Sequence, residues 1–384
     1  MADSRPESTP STAQSVRAAD IVSDHEIRVG LSVSVSGRFQ LQGQQALHGI
    51  LLWQSHANAQ GGIPSNGGMS RPVRLIWYDD GSRVSRTREN VLRLIRNDSV
   101  DILLGPYSSS LTMAAAEIAE EYKKILWNYG GTSDEIFSHG WRYMIAIASP
   151  ASDYLRALPQ WLVKQYPKRC RICVLYSSQG TFGWQVARGV LESAPETRQS
   201  VELVPLDTPL KDSDAALSLL LDISPEAVML AGSFQDELAI MRTRPRWPTS
   251  VRAVAAVAVG IAAFASQVGQ LADGVLGPSQ WEPGVSFPTI VGPPSDSFIN
   301  DFQIRFGSTP DYVAAGSFAT GLIVMECIRR AGSLDGDKLR SAASDLDCHT
   351  FYGRFRLDAQ SGKQVGHRIL LIRWQNGNKI VLPS

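Results

Sequence analysis

Asp101-Ile102-Leu103-Leu104-Gly105-Pro106-Tyr107-Ser108-Ser109-Ser110 passes from a short apolar run, through a Gly-Pro break, to three serines. The helical pattern of Leu111 to Tyr122 follows at once. A short apolar run that ends in Gly-Pro and gives way to a helix reads as one strand–loop–helix unit of a parallel sheet. A helix start offers free backbone N–H groups and the positive end of a dipole. Serine hydroxyls there add hydrogen bonds to an anionic or polar ligand group. The plainer use of a serine at this place is to cap the helix.

The same unit repeats on both sides. Ile27 to Val33 and Val73 to Tyr78 read as earlier strands, and Ile125 to Trp127 as the strand after. Ala46, Ile50, Trp53 and Ala57 recur at helical spacing, as do Val84, Arg88, Val91 and Ile95. The strand at 125–127 runs into Asn128-Tyr129-Gly130-Gly131-Thr132-Ser133-Asp134-Glu135. Gly-Gly lets backbone approach a ligand closely, and Thr132 with Glu135 fits a capping box. Ligands of doubly wound sheets bind beyond the carboxyl ends of strands, so the loops at 107–110 and 128–135 are expected to face one cleft.

A second α/β series then begins. Ser152 to Tyr166 reads as an amphipathic helix, and Arg171 to Tyr176, Val201 to Leu206, Ala227 to Leu230 and Arg252 to Val257 as strands. Helical patterns near 183–193, 214–221 and 235–242 separate them. The last third has a short strand at Gly274 to Pro278, a Gly/Pro-rich loop at 283–294 and helical patterns at 296–306, 311–331 and 335–344. An Asn376-Gly377 turn then marks a closing β-hairpin. The late helices have no strands of their own to cover and are expected to return to the first series, the hairpin to the second. The predicted fold class is α/β, with two doubly wound lobes joined by a multi-crossing hinge. The expected division is 27–146 plus 274–348 for one lobe and 147–273 plus 349–384 for the other. Residues 1–26, rich in Ser, Thr, Pro, Ala and Asp, read as a disordered tail without the apolar core of a secretory signal.

Composition narrows the function classes. Of 384 residues, 37 are basic and 37 acidic, so net charge predicts no nucleic-acid partner. The longest apolar stretch, about Val251 to Ala265, is interrupted by Arg252 and Gly260 and is too short to span a bilayer. Cys170-Arg171-Ile172-Cys173 has CxxC spacing but falls on a predicted strand, where residues three apart face opposite sides. Structural thiols are the reading, with Cys327 and Cys348 as candidates to pair. The six histidines are scattered without metal-ligand spacing. No nucleophile elbow, zinc motif or phosphate loop occurs, so neither catalysis nor a cofactor is expected. Tyr176, Phe182, Phe234 and Trp281 fall at predicted strand ends. Singly each reads as core; as a set they wall a pocket.

Val29-Gly30-Leu31 with Ser36-Gly37, Asn58-Ala59-Gln60-Gly61-Gly62-Ile63, Asp79, Leu104 to Ser109, and Gln364-Val365-Gly366-His367 leading to Trp374 stand in a characteristic order. That order resembles the branched-chain amino acid, type I, periplasmic solute-binding proteins of ABC transporters, over nearly all of Ile27 to Pro383. The resemblance implies capture of a small polar molecule by lobe closure, a membrane permease as partner and a periplasmic location. The amide-sensing cytoplasmic regulators that share this fold are the alternative. In that family a serine and a threonine after the third and fourth strands bind the ligand carboxylate. The matching positions are Ser109, with neighbours Tyr107 and Ser108, and Thr132, with backbone from Gly130. Phe182 and Phe234 match second-lobe aromatic positions and Gln42 the first-loop contact, while Trp281 is a candidate from its strand-end place alone. One departure stands out. Amino-acid binders of the family carry an acid after a late second-lobe strand, yet Ala253-Val254-Ala255-Ala256-Val257-Ala258-Val259-Gly260 has none. A buried ammonium without a partner costs several kcal/mol. The expected ligand is therefore a small carboxylate, aromatic acid, amide or urea-like molecule, unless Asp236 or Glu237 takes the missing place.

Overall fold

The computed structural model describes residues 26–64, 70–166, 168–197 and 199–383. The expected tail at 1–26 lies, all but its last residue, outside them. Two sheets organise the chain. The first has five parallel strands in the order Val73–Asp79, Ile27–Val33, Ile102–Leu104, Leu126–Asn128, Met144–Ala146. The second has seven, in the order Asn378–Val381, Leu370–Gln375, Leu276–Ser279, Ala253–Ala256, Ala227–Ala231, Arg171–Ser177, Ser200–Leu206. Its first two strands are antiparallel and the rest parallel. Strands such as Ala227–Ala231 and Ile102–Leu104 are apolar throughout because helices cover both faces.

Chain order reverses at one place in each sheet. In the first it is between Ile27–Val33 and Ile102–Leu104; in the second it is between Arg171–Ser177 and Ala227–Ala231. Such switch points leave a crevice at the strands' carboxyl ends, where consecutive loops splay apart. The helices that begin there are Gln40–Ala59 and Ser109–Glu121 in one lobe, Phe182–Ser193 and Phe234–Arg242 in the other.

The late helices return to the first lobe as expected. The Tyr312–Ala331 helix is long and apolar enough to cross a membrane, but 78% of its most apolar window is buried. It is a core helix, and it lies so close to Gln40–Ala59 that a Cβ on Gly49 would stand 2.3 Å from the Ala314 carbonyl oxygen. Phe318 of this helix joins Phe298, Phe302 and Phe351 in an aromatic core.

Four expectations need correction. Met144–Ala146 is a fifth strand of the first sheet, three residues long and too short to show a period. The helix expected over 152–166 is reduced to Leu158–Gln165, because Pro159 fits only in a first helical turn. Leu276–Ser279 does not belong with the first lobe: it pairs with Ala253–Ala256 and Leu370–Gln375 in the second sheet. Residues 349–366 are not a second-lobe segment either. Phe351 stacks on Phe298 at 4.6 Å, and Gly362 accepts a hydrogen bond from the Ala146 amide.

Three chain crossings join the lobes, and one hydrogen-bond knot ties them. The Ser149 amide donates to Gln280 Oε1, and Gln280 Nε2 donates back to the Ser149 carbonyl, both at 3.1 Å. Ser149 Oγ donates to the His367 carbonyl at 3.2 Å, and His367 Nε2 donates to the Gln280 carbonyl at 2.8 Å. Burial holds His367 neutral, its pKa pushed down to about 4.

Candidate functional site

The first-lobe wall is built from the loops at 105–110 and 128–133. Asn128 organises the second loop. Its Oδ1 accepts the amides of Gly130 and Gly131, and its Nδ2 donates to the Gly131 carbonyl at 2.6 Å. The Gly130 N–H expected to meet a ligand is thus already engaged. Gly130 instead lets the loops touch, in a β-bridge with Tyr107: a Cβ there would stand 2.9 Å from the Tyr107 Cα.

The three serines divide the work. Ser108 is the helix cap, its Oγ accepting from the Leu111 amide. Its backbone sits at φ 86°, ψ 147°, a conformation that is strained for any residue with a side chain. Ser109 is nearly enclosed, and its Oγ accepts the amides of Thr132 at 3.3 Å and Ser133 at 3.0 Å. With both lone pairs used, the Ser109 hydroxyl still has its proton to donate. Ser110 is exposed.

Thr132 does not form the expected capping box. The short helix Asp134–Ser138 has Ser133 before it and no side-chain cap. Thr132 is instead buried with its hydroxyl toward the Tyr154 phenol. Tyr107 approaches Tyr312 with the phenol oxygens 3.4 Å apart. Burial raises the pKa of Tyr107, Tyr154 and Tyr312, so all three keep their protons. Gln42, in the first turn of Gln40–Ala59, is buried with Oε1 unpartnered.

The second-lobe wall is mainly aromatic. Phe182 and Phe234 are the first residues of their helices. Phe182 meets Tyr154 edge-on at 5.5 Å. Thr181 Oγ1 lies 2.7 Å from Ser133 Oγ, a direct hydrogen bond across the cleft. Trp281 is a correction: it is fully enclosed, edge-on to Phe298 and Phe351, and serves the aromatic core rather than the cleft wall. Tyr176 packs on Trp184.

The two candidate acids differ. Asp236 accepts the Leu210 amide and the hydroxyl of Ser233, the residue that caps its helix, so both of its oxygens are engaged locally. Glu237 reaches the cleft edge, where Oε1 accepts from the Gly232 amide and Oε2 from the Ala258 amide, each at 2.7 Å. Burial pushes its pKa up to about 8. It therefore stands beside the acid-free segment 253–260 but is mostly uncharged at neutral pH. Tyr154 and Tyr312 were missed from sequence because neither follows a strand. The four cysteines are free and buried, and burial raises the pKa of each thiol, that of Cys173 to about 12. Among the described residues, no cluster of three His, Cys, Asp or Glu side chains forms that would hold a metal ion.

A sequence profile of the family described as periplasmic binding protein matches residues 26–379. A Leu/Ile/Val-binding protein homolog of Brucella melitensis is 21% identical, with 93% of this chain and 90% of that protein covered. A leucine binding protein from Thermotoga maritima superposes with a TM-score of 0.81 at 17% identity, over 93% of this chain and 98% of that one. An ABC transporter solute binding protein from R. palustris, solved with benzoate, gives a TM-score of 0.77 at 17% identity, over 93% and 95%.

Proposed function

The chain belongs to the periplasmic binding protein family, and on that premise we propose that it captures a small carboxylate lacking an ammonium group, such as an aromatic or branched apolar acid. Capture is by closure of the lobes, in the periplasm, for delivery to an ABC-transporter permease.

The observation that carries the reading is the mismatch between the walls. The first-lobe wall offers hydroxyl donors from Ser109 and Thr132 at the start of the Ser109–Glu121 helix. Donors and a helix N-terminus suit a carboxylate. The second-lobe wall offers Phe182, Phe234 and an acid that burial keeps mostly neutral. Rings suit an apolar body, and no fixed anion awaits an ammonium. The solved relatives include one bound to benzoate and one named for leucine, so both ligand chemistries occur on this fold.

Closure follows from differential contact. A ligand favours the closed state only by binding it more tightly than the open one. Moving the balance from 1:99 to 99:1 takes about 5.5 kcal/mol. Donors on one lobe and rings on the other supply that difference only when both touch the ligand. A thermal-shift panel of aromatic and branched acids, their amides and the standard amino acids tests the reading. Ligand at 100 times its Kd is expected to stabilise by about 2.7 kcal/mol. Shifts confined to amino acids contradict it.

A further inference from the structure

The amino ends of two first-sheet strands frame a cavity of about 190 Å³. Asp101, just before Ile102–Leu104, lines it, as do Lys123 and Lys124, in the turn ahead of Leu126–Asn128. Asp335 and Gly336, at the start of the Gly336–Ser344 helix, close the other side. The cleft loops at 105–110 and 128–133 follow the same strands, so the cavity lies at the opposite end of the sheet from the cleft.

Trp127 supplies an unpaired donor to the cavity wall. Successive strand residues face opposite sides of a sheet. Leu126 belongs to the apolar cluster of Leu103 and Ile118, whereas Trp127 belongs to that of Ile102 and Leu339. The Trp127 ring therefore lies on the sheet face that the Gly336–Ser344 helix covers. It is fully buried, and among the described residues nothing accepts its indole N–H. A buried donor without a partner is costly, and one in a cavity wall calls for an occupant that accepts.

The other unspent groups at the cavity are also donors. The helix makes its first internal bond from the Leu339 amide to the Asp335 carbonyl, and Asp335 Oδ1 caps the Lys338 amide. The Gly336 and Asp337 amides ahead of it point out of the helix start. That start is pressed onto the lysine turn: a Cβ on Gly336 would stand 2.6 Å from the Lys123 carbonyl oxygen. The side chain of Asp337 is turned to Arg142 and Tyr143. The acceptors are partly used, Asp101 Oδ2 by the Arg28 amide at 2.8 Å and Asp335 Oδ1 by the Lys338 amide at 3.1 Å. Two lysines offset the two acids in charge, so hydrogen bonding selects the occupant.

We propose that this cavity binds a small oxyanion that keeps a proton, of the hydrogen phosphate kind. Its oxygens accept from the Trp127 indole, the helix-start amides and the two lysines. Its proton is donated to the remaining oxygen of Asp101 or Asp335. Sulfate carries no proton at neutral pH and meets those carboxylates with repulsion alone. The site stands independently of the function proposed for the cleft.

The test titrates inorganic phosphate and sulfate, at equal ionic strength and pH 7, into the full chain, read by thermal stability and calorimetry. Phosphate is expected to raise Tm saturably, and sulfate to bind at least about tenfold more weakly, the loss of one hydrogen bond to a charged group. The paired substitution Lys123→Gln and Lys124→Gln, outside the core, should weaken phosphate by about tenfold or more. Trp127→Phe keeps a ring and removes the N–H, and should also weaken it. If that core variant does not fold, the lysine variant decides. Ser109→Ala, in the cleft, should leave the phosphate response unchanged. Equal and unsaturable stabilisation by both salts means that water alone fills the cavity, and overturns the proposal. So do sulfate binding as tight as phosphate, a phosphate response that survives the lysine substitutions, or one that Ser109→Ala abolishes.

Discussion

The two walls of the cleft are built by opposite rules. On the first lobe, hydrogen bonds lock the proposed binding groups before any ligand arrives: Asn128 holds Gly130 and Gly131, and Ser109 holds Thr132 and Ser133. On the second lobe, Phe182 and Phe234 stand at helix starts, and the residue before Phe182, Thr181, meets Ser133 of the first lobe. A locked polar wall suits docking, because its ordering cost is already met in the free protein. A wall of rings gains most when closure removes water from it. On the function proposed above, the difference assigns specificity for the carboxylate to one lobe and the drive to close to the other.

The comparison breaks most readily at Ser109. Ser109→Ala removes one proposed ligand donor and leaves the buried amides of Thr132 and Ser133 without their acceptor. The unpaired amides cost stability in free and bound protein alike, while the lost donor, at about 1.5–3 kcal/mol for a hydrogen bond to a charged group, is expected to lower affinity by one to two powers of ten. Calorimetry checks this, with circular dichroism to confirm folding. Because Ser108 supplies the helix cap, the fold should survive. A change under threefold would mean that the first wall is not locked in the way described.

The hinge between the walls gives the next effect. His367 is held neutral at a pKa of about 4, below its unfolded value of 6.5, so the unfolded chain binds the extra proton. The resulting stability is present above pH 6.5 and lost as pH falls through about 4. The full span is on the order of 3 kcal/mol. Urea unfolding at pH 7 and pH 5 reads about 2 kcal/mol of that span, and His367→Gln should flatten the slope.

The smallest effect is at Thr132. Freed from the capping box, its hydroxyl lies toward the Tyr154 phenol, and on the function proposed above it also meets the ligand. Thr132→Ala is expected to weaken binding about tenfold, roughly 1.4 kcal/mol, with Thr132→Ser restoring most of it. Loss of thermal stability without loss of affinity would return Thr132 to a structural role.

The alternation of apolar runs with helical periods made the lobes legible, and the loops at 107–110 and 128–135 do meet. What escaped was set by distance. Met144–Ala146 is too short for a period, and Leu276–Ser279 joins the second sheet only because Leu370–Gln375 pairs with it from far along the chain. Thr132 looked like a cap because Glu135 stands three residues on, whereas tertiary contact with Tyr154 decided its place. Tyr312 lies 205 residues from Tyr107, and no local pattern announces that meeting. Trp281 shows the converse: a strand-end aromatic that the core claimed.

The most direct test sets the dissociation constant of 4-methylpentanoate against that of leucine on the wild-type protein at pH 7. The walls as built predict that the acid without an ammonium binds at least tenfold more tightly. Tighter binding of leucine would contradict the account.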